Sequence, residues 1–178
     1  MRVISGKARG TSLYSLEGSH TRPTTDRVKE SMFSIINFNI PGGTVLDLFS
    51  GSGALGIEAL SRGADKCYFI ENSKQAADIV KRNLEKTNCI ENSVLKITDF
   101  KNFLNSVEEK FDVILLDPPY NKMMCDEALK IIYERNLLND DGVIMCETEY
   151  GEVITTDFTK KKDYKYGKTM LSVFVKDD

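Results

Sequence analysis

Apolar residues along the chain follow two alternating patterns. Short apolar runs at residues 44–48, 66–71, 94–97, 111–116 and 142–147 predict buried strands. The segments between them carry apolar residues at helical spacing and predict helices at residues 54–62, 74–87, 100–106 and 125–135. Strands that alternate with helices are typical of a doubly wound, mostly parallel α/β sheet.

The two ends of the chain depart from this alternation. Residues 2–5 and 11–16 flank a glycine-containing stretch and predict a β-hairpin, and Thr24 or Thr25 is expected to cap a helix that runs to about Asn37. Strand-like runs at residues 153–158 and 169–175 flank a lysine-rich stretch, in which residues 160–162 are expected to form a solvated turn. A closing hairpin of this kind would give the sheet seven strands with an antiparallel C-terminal strand.

The length of 178 residues favours a single domain, residues 1–178. Within it we expect an N-terminal hairpin and helix extension, residues 1–40, and a core, residues 41–178. The net charge is −3, but it is uneven: residues 1–40 carry six basic and three acidic residues, whereas residues 41–150 carry 12 basic and 19 acidic residues. A basic segment on an acidic body fits either a polyanion-binding arm or an unevenly charged solvated surface.

The spacing of the cysteines and the hydropathy of the chain indicate the cellular compartment. The four cysteines are widely spaced without a C-x-x-C pair, so neither a zinc site nor a disulfide framework is predicted. No apolar run approaches the roughly 20 residues that a membrane span needs. We therefore expect a cytoplasmic protein without membrane or metal partners.

A glycine loop follows the first core strand. Residues 51–56 match G-x-G-x-x-G between a strand and a helix, and Glu71 stands 20 residues after Gly51, which is the spacing of a dinucleotide-binding fingerprint. Asp47, however, ends the strand ahead of the glycines, and a carboxylate there suits a cationic ligand group better than a pyrophosphate. The only histidine, His20, lies outside the sheet, so the proton donor usual in hydride transfer is missing. S-adenosylmethionine, with its ammonium and sulfonium groups, is favoured over NAD.

A second motif, Asp117-Pro118-Pro119-Tyr120, follows the fourth core strand. An amine on an aromatic ring is a poor nucleophile because its lone pair is delocalised. The Asp117 carboxylate and the Pro118 carbonyl could accept hydrogen bonds from both N–H groups, while two prolines stiffen the loop. Tyr120 offers a face on which a base can stack. The motif predicts methylation of a planar amino group, with these four residues as the catalytic set.

Taken together, these motifs resemble a class I, Rossmann-like methyltransferase, and specifically the RsmD-type 16S rRNA (guanine(966)-N2)-methyltransferase family. The resemblance covers almost the whole chain. It is carried by residues 1–6 with Arg9 and Gly10, by residues 22–30 with Met32 and Phe33, by residues 45–63, and by residues 166–172.

The resemblance implies a substrate and a set of roles. The expected substrate is guanine 966 of 16S rRNA, methylated at N2 within the assembled 30S subunit by a monomeric enzyme. The implied cofactor-binding residues are Asp47, Phe49, Ser50, Gly51, Ser52, Gly53, Glu71, Asn72, Asp99 and Phe100. Among them, Glu71 would bind the ribose and Asp99 the adenine amino group. The implied RNA-binding residues are Arg2, Lys7, Arg9, Arg22, Thr24 and Arg27.

Other functions stay open at this stage. A DNA adenine-N6 methyltransferase usually carries a separate target-recognition domain, for which 178 residues leave no room, and a protein glutamine methyltransferase typically carries Asn where this chain has Asp117. An NAD-dependent oxidoreductase and a non-catalytic binder are more remote alternatives. Arg22 and Arg27 could also simply pair with Asp26 or Glu30 on a helix surface.

Overall fold

The computed structural model describes residues 1–15, 25–119 and 122–177. In the first of these ranges, the chain folds back on itself through a single antiparallel bridge between Arg2 and Ser12. Backbone hydrogen bonds from Val3 N to Thr11 O and from Gly10 N to Val3 O close the turn, so the predicted hairpin is present in a very short form. The helix that follows is α1 (Asp26–Ile35), and Thr25 caps it by accepting from the amide of Val28.

The described part of the core forms a seven-stranded sheet flanked by helices. In chain order its elements are β1 (Thr44–Asp47), α2 (Ala54–Ser61), β2 (Lys66–Glu71), α3 (Lys74–Lys86), β3 (Ser93–Ile97), α4 (Phe100–Ser106), β4 (Phe111–Leu116), α5 (Lys122–Glu134), β5 (Leu138–Glu149), β6 (Thr159–Tyr166) and β7 (Thr169–Val175). The strand order is β3-β2-β1-β4-β5-β7-β6, and β7 runs opposite to the other six. The predicted doubly wound sheet with an antiparallel C-terminal strand is confirmed.

Strands β1 and β4 lie side by side, although β2 and β3 intervene in the chain. The connections from these two central strands therefore leave in opposite directions, and a crevice opens at their carboxyl ends, where such sheets bind ligands. Alternate residues of each strand supply the two hydrophobic cores. Val45 and Leu115 pack on the face covered by α2 and α3, whereas Leu46 and Ile114 pack on the face covered by α4 and α5.

The C-terminal region corrects two predictions. Residues 153–158 are not a strand; Ile154 and Phe158 are buried within an irregular connection. The lysine-rich stretch expected to form a turn is instead the edge strand β6, which pairs with β7 from Thr159 to Tyr166. Exposed lysines on an edge strand are physically reasonable, because their charge discourages pairing with another chain. The sequence pattern failed here because β6 is exposed on both faces along most of its length, so it needs no apolar alternation.

Candidate active site

A cavity of about 650 Å³ lies at the carboxyl ends of the parallel strands. Its walls come from the segments after β1 to β5, the turn between β6 and β7, and the N-terminal extension. The predicted site residues that line it are Phe49, Ser50, Gly51, Ser52, Glu71, Asn72, Phe100, Asp117, Pro118, Pro119 and Arg27. The structure thus brings together residues from four separate strand ends.

The glycine loop forms one wall of the cavity. Ser50 N donates to Ile70 O at 3.0 Å, and Gly53 N donates to Ser50 O at 2.6 Å, so the loop turns tightly between β1 and α2. Gly51 has φ +54°, and a Cβ added there would meet no atom within 4 Å. The backbone is therefore open to a ligand at this point. Gly56 differs, because a Cβ there would lie 2.3 Å from Phe69 Cε1; its role is close helix–sheet packing.

Glu71 stands at the end of β2 and holds the loop. Its Oε2 accepts from Gly51 N at 2.9 Å, and its Oε1 accepts from Ser73 N at 2.8 Å. An ionised carboxylate offers about four acceptor positions, so hydroxyl groups of a ligand can still bind. Glu71 and the neighbouring Asn72 line the cavity, and the contact of Glu71 with a ribose stays a prediction.

Asp47 lies behind the cavity wall rather than on it. Its side chain is buried, and Oδ2 accepts from Gly56 N at 2.9 Å, which fixes the first turn of α2. Burial, reinforced by the charges of Asp117 and Glu71 and opposed by the Gly56 bond, raises the pKa of Asp47 to about 7. Asp47 is not among the residues that line the cavity, and its contact with a cationic ligand group stays a prediction.

The segment after β3 supplies part of the cavity wall. Thr98 and Phe100 line the cavity. The ring centroids of Phe100 and Phe49 are 5.3 Å apart, and the two rings form an apolar wall. Asp99 does not line the cavity; its carboxylate caps α4 by accepting from Asn102 N at 2.9 Å. Gly53 is also outside the lining, with a hypothetical Cβ 3.1 Å from Val80. The predicted adenine contact of Asp99 is untested.

Asp117, Pro118 and Pro119 follow β4 and face the same cavity; Tyr120 lies outside the described residues. The parallel pairing of Leu116 with Cys146 places Glu147 beside Asp117 at the end of the neighbouring strand. Glu147 and Thr148 line the cavity, and the buried Thr148 Oγ1 has no hydrogen-bond partner among the described residues. No motif in the sequence marks Glu147 or Thr148 as part of the site.

Residues 165–169, at the turn between β6 and β7, form another wall that the sequence did not assign to the site. Residues 166–172 contribute to the family resemblance, but the sequence does not show that they lie beside the cavity. This turn reaches the cavity only because β7 inserts beside β5 and runs in the reverse direction.

The N-terminal extension closes the remaining side. Met1, Thr25, Arg27 and Val28 line the cavity. Arg2 Nε pairs with Asp26 at 3.0 Å, so that carboxylate pairs with Arg2 rather than Arg27. Among the other predicted RNA-binding residues, Lys7 and Arg9 are exposed, whereas Arg22 and Thr24 lie outside the described residues.

A buried ion pair fastens this extension to the core. Lys29 Nζ of α1 lies 3.1 Å from Glu58 Oε2 of α2, and both side chains are fully buried. Lys29 also donates to Arg2 O, and Glu58 accepts from the amides of Ile4 and Ser5 and from Arg62 Nε. Burial lowers the pKa of Lys29, and Glu58 opposes this shift.

Two negative findings apply to the described residues. They contain no group of three or more His, Cys, Asp or Glu side chains placed to hold a metal ion. None of the helices within them is long and apolar enough to cross a bilayer.

Known proteins similar to this chain include several methyltransferases. YlbH of Bacillus subtilis is 39% identical over 183 residues, covering 99% of both chains. The ribosomal RNA small subunit methyltransferase D of Haemophilus influenzae is 37% identical over 159 residues, covering 88% of this chain and 82% of its own.

Solved structures agree with this likeness. The structure of yhhF from Escherichia coli superposes with a TM-score of 0.88 at 27% identity, covering 99% of this chain and 98% of its own. SMU.776, solved with S-adenosylhomocysteine, shares the fold alone, at a TM-score of 0.67 and 17% identity over 82% of this chain and 48% of its own.

The family model described as "Conserved hypothetical protein 95" matches residues 1–175. With this match and the relatives above, the chain belongs to the RsmD family of methyltransferases.

Proposed function

We propose that this protein methylates the exocyclic N2 amino group of a guanine in small-subunit rRNA, using S-adenosylmethionine, and that guanine 966 of the assembled 30S subunit is the target. The observation that carries the proposal is one cavity that combines the open glycine loop, Glu71, and the Asp117-Pro118-Pro119 loop. Family membership and the named activity of the relatives support rRNA as the substrate class.

The cavity fits S-adenosylmethionine in several respects. Its volume is within the range of small-molecule sites, Gly51 leaves space beside the backbone, and Phe49 with Phe100 supplies an apolar wall. Glu71 can accept from hydroxyl groups, and the negative field of Asp117 and Glu71 suits a cationic ligand. The cofactor supplies an activated methyl group on a sulfonium. The complex of SMU.776 with S-adenosylhomocysteine supports this choice.

Asp117 and the Pro118 carbonyl would hold the target amine. Accepting from both N–H groups orients the nitrogen lone pair toward the methyl donor and stabilises the positive charge that develops on nitrogen. No base is needed before attack, because the proton leaves to solvent after the N–C bond has formed. The rigid prolines keep the acceptors in place without reorganisation.

The choice of guanine rests chiefly on the family, with one structural support. Guanine presents adjacent N1–H and N2–H₂ donors on its pairing edge, whereas adenine presents an amino donor beside an acceptor. The carboxylates of Asp117 and Glu147, at the ends of neighbouring strands in one cavity, suit two adjacent donors. A flipped base is recognised by such edge contacts.

The substrate is tested by comparing methyl transfer to 30S subunits from cells that lack the gene, to naked 16S rRNA, and to duplex DNA. We expect N2-methylguanine at position 966 in the subunits. Labelling of DNA alone would favour an adenine methyltransferase, and labelling of a protein alone would favour a glutamine methyltransferase. NAD binding without S-adenosylhomocysteine binding in calorimetry would refute the methyltransferase proposal.

The role of Asp117 is tested with Asp117→Ala. We expect transfer to be lost while S-adenosylhomocysteine binds almost as in the unmodified protein. Asp157→Ala removes an exposed carboxylate outside the cavity and should change neither property. Full turnover by the Asp117 variant would contradict the proposed chemistry.

A further inference from the structure

We propose that Tyr14, Arg82 and Lys86 form a second RNA-binding surface, which holds the phosphate backbone of a single strand next to the cavity. We call these three residues the Tyr14 cluster. This inference rests on the proposed function, because it assigns part of the RNA contact to α3, outside the N-terminal residues that the sequence indicated.

The Tyr14 cluster presents two cations around one exposed ring. The Arg82 guanidinium lies 4.3 Å from the Tyr14 ring centroid, and the Lys86 ammonium lies 4.5 Å from it. Arg82 and Lys86 are four residues apart and therefore share one face of α3. All three side chains are exposed, and Tyr14 keeps 42% of its surface accessible. The ring contacts position the two cations, and both side chains remain exposed to solvent.

No acidic group within the described residues lies within ion-pair distance of Arg82 or Lys86. Asp78 stands one helical turn before Arg82, at the spacing that favours an intrahelical pair, yet Arg82 contacts the Tyr14 ring instead. Within the described residues, both cations are therefore engaged by the ring rather than by a carboxylate and are available to an anionic partner.

Asn83 ties the Tyr14 cluster to the glycine loop. Its side chain is fully buried, accepts from Tyr14 N at 2.8 Å and donates to Tyr14 O at 2.9 Å. The same Nδ2 donates to Ser52 O at 2.8 Å, and Ser52 lines the cavity. The backbone of Tyr14 is thus fixed, through Asn83, relative to the wall of the active site.

The Tyr14 cluster lies close enough to the cavity to contact an RNA strand that leaves the active site. Ala76, in the first turn of α3, lines the cavity, and Arg82 lies six residues further along the helix, about 9 Å away along its axis. An exposed aromatic ring flanked by cations is the combination by which proteins hold single-stranded nucleic acid. The partner that fits best is therefore RNA on either side of the target nucleotide, rather than an acidic protein.

The test is the double variant Arg82→Gln/Lys86→Gln, measured with 30S subunits across a salt series. We expect KM to rise about tenfold, with kcat and S-adenosylhomocysteine affinity unchanged. The slope of log(kcat/KM) against log salt should fall by about 1.4, because two single-strand phosphate contacts are lost. Lys110→Gln/Lys130→Gln removes two exposed charges outside the cavity and is the matched control.

Three outcomes would overturn the proposal. In the first, the double variant has the same KM and the same salt slope as the control. In the second, the double variant loses kcat or cofactor affinity while its salt slope is unchanged. In the third, the double variant binds subunits more weakly but binds a naked single-stranded RNA as the unmodified protein does. The last would indicate a ribosomal protein as the partner. Tyr14→Leu keeps the backbone bonds to Asn83, and we expect a smaller rise in KM.

The RNA-binding measurement also separates this proposal from the function. If the unmodified protein methylates no rRNA, the proposed function fails, and fluorescence anisotropy with a single-stranded RNA still decides whether the Tyr14 cluster binds it. If rRNA is methylated equally well by the double variant, only the surface proposal fails.

Discussion

The buried pair of Lys29 and Glu58 holds the N-terminal extension on the core, and its two members should differ in importance. Glu58 accepts from Lys29, Arg62 and two backbone amides, whereas Lys29, among the described residues, contacts only the Glu58 carboxylate and the Arg2 carbonyl. Glu58→Gln leaves a buried ammonium without its counter-charge. Lys29→Met removes the buried ammonium, which has few partners, and leaves the Glu58 carboxylate paired with Arg62.

The magnitudes follow from that asymmetry. Removing one partner of a buried pair and leaving the other charged costs about 3–5 kcal/mol, which we expect for Glu58→Gln. For Lys29→Met we expect about 1–3 kcal/mol, because the carboxylate keeps its remaining donors. In the double variant no uncompensated ammonium remains, so it should be more stable than Glu58→Gln alone, with a coupling of about 2 kcal/mol.

Urea unfolding followed by far-UV circular dichroism measures these values, since the chain has no tryptophan. The double variant keeps the test meaningful if Glu58→Gln unfolds, because partial recovery of the fold is then the expected result. Equal destabilisation by the two single variants, or strictly additive effects in the double variant, would refute the assigned asymmetry. Lys130→Met, which removes one member of an exposed pair, serves as the control and should cost little.

Three further predictions concern the site itself. The pKa of Asp47 is about 7 in the folded protein and ordinarily 3.8, so its protonation stabilises the fold fully below about pH 4, and this effect is lost as the pH rises through 7. Asp47→Asn keeps an acceptor for the Gly56 amide but carries no charge. Its free energy of unfolding should therefore exceed that of the unmodified protein by up to about 4 kcal/mol at pH 8, and the two values should converge at pH 4. A difference in unfolding free energy that is independent of pH would contradict the raised pKa of Asp47. Gly56→Ala should lower the free energy of unfolding by about 1–3 kcal/mol because its Cβ meets Phe69, with S-adenosylhomocysteine affinity kept. Gly51→Ala should lower it by about 1 kcal/mol, because the backbone there has φ +54°, and should in addition weaken S-adenosylhomocysteine binding in calorimetry. Weaker cofactor binding in the Gly56 variant alone would show that the two glycines have been assigned the wrong roles. Glu147→Gln should lower kcat/KM for subunits about 10-fold to 100-fold with cofactor affinity kept, and unchanged turnover would remove Glu147 from base recognition.

The periodicity of the sequence was enough to locate β1 to β5 and the intervening helices, because buried strands and amphipathic helices leave local patterns. It was not enough for β6, whose lysines face solvent, or for the apolar residues 153–158, which are buried without forming a strand. The glycine loop and the Asp117 loop were found because each is a compact motif next to a strand end. Glu147 and Thr148 were not assigned, because nothing in their local sequence distinguishes a cavity wall from a strand.

The sequence by itself determined the alternation of elements, the family, and the residues that follow each central strand. These depend on local spacing and on motifs that act within a few residues. Only the tertiary structure decided that Asp47 supports the loop from behind, that the turn at residues 165–169 closes the cavity, and that Asn83 joins Tyr14 to Ser52. Each of these contacts joins residues separated by at least nine positions, and the register between elements sets which side chains meet. Burial then determines what a polar group does there, since a carboxylate removed from water has to bind the donors that the fold places beside it.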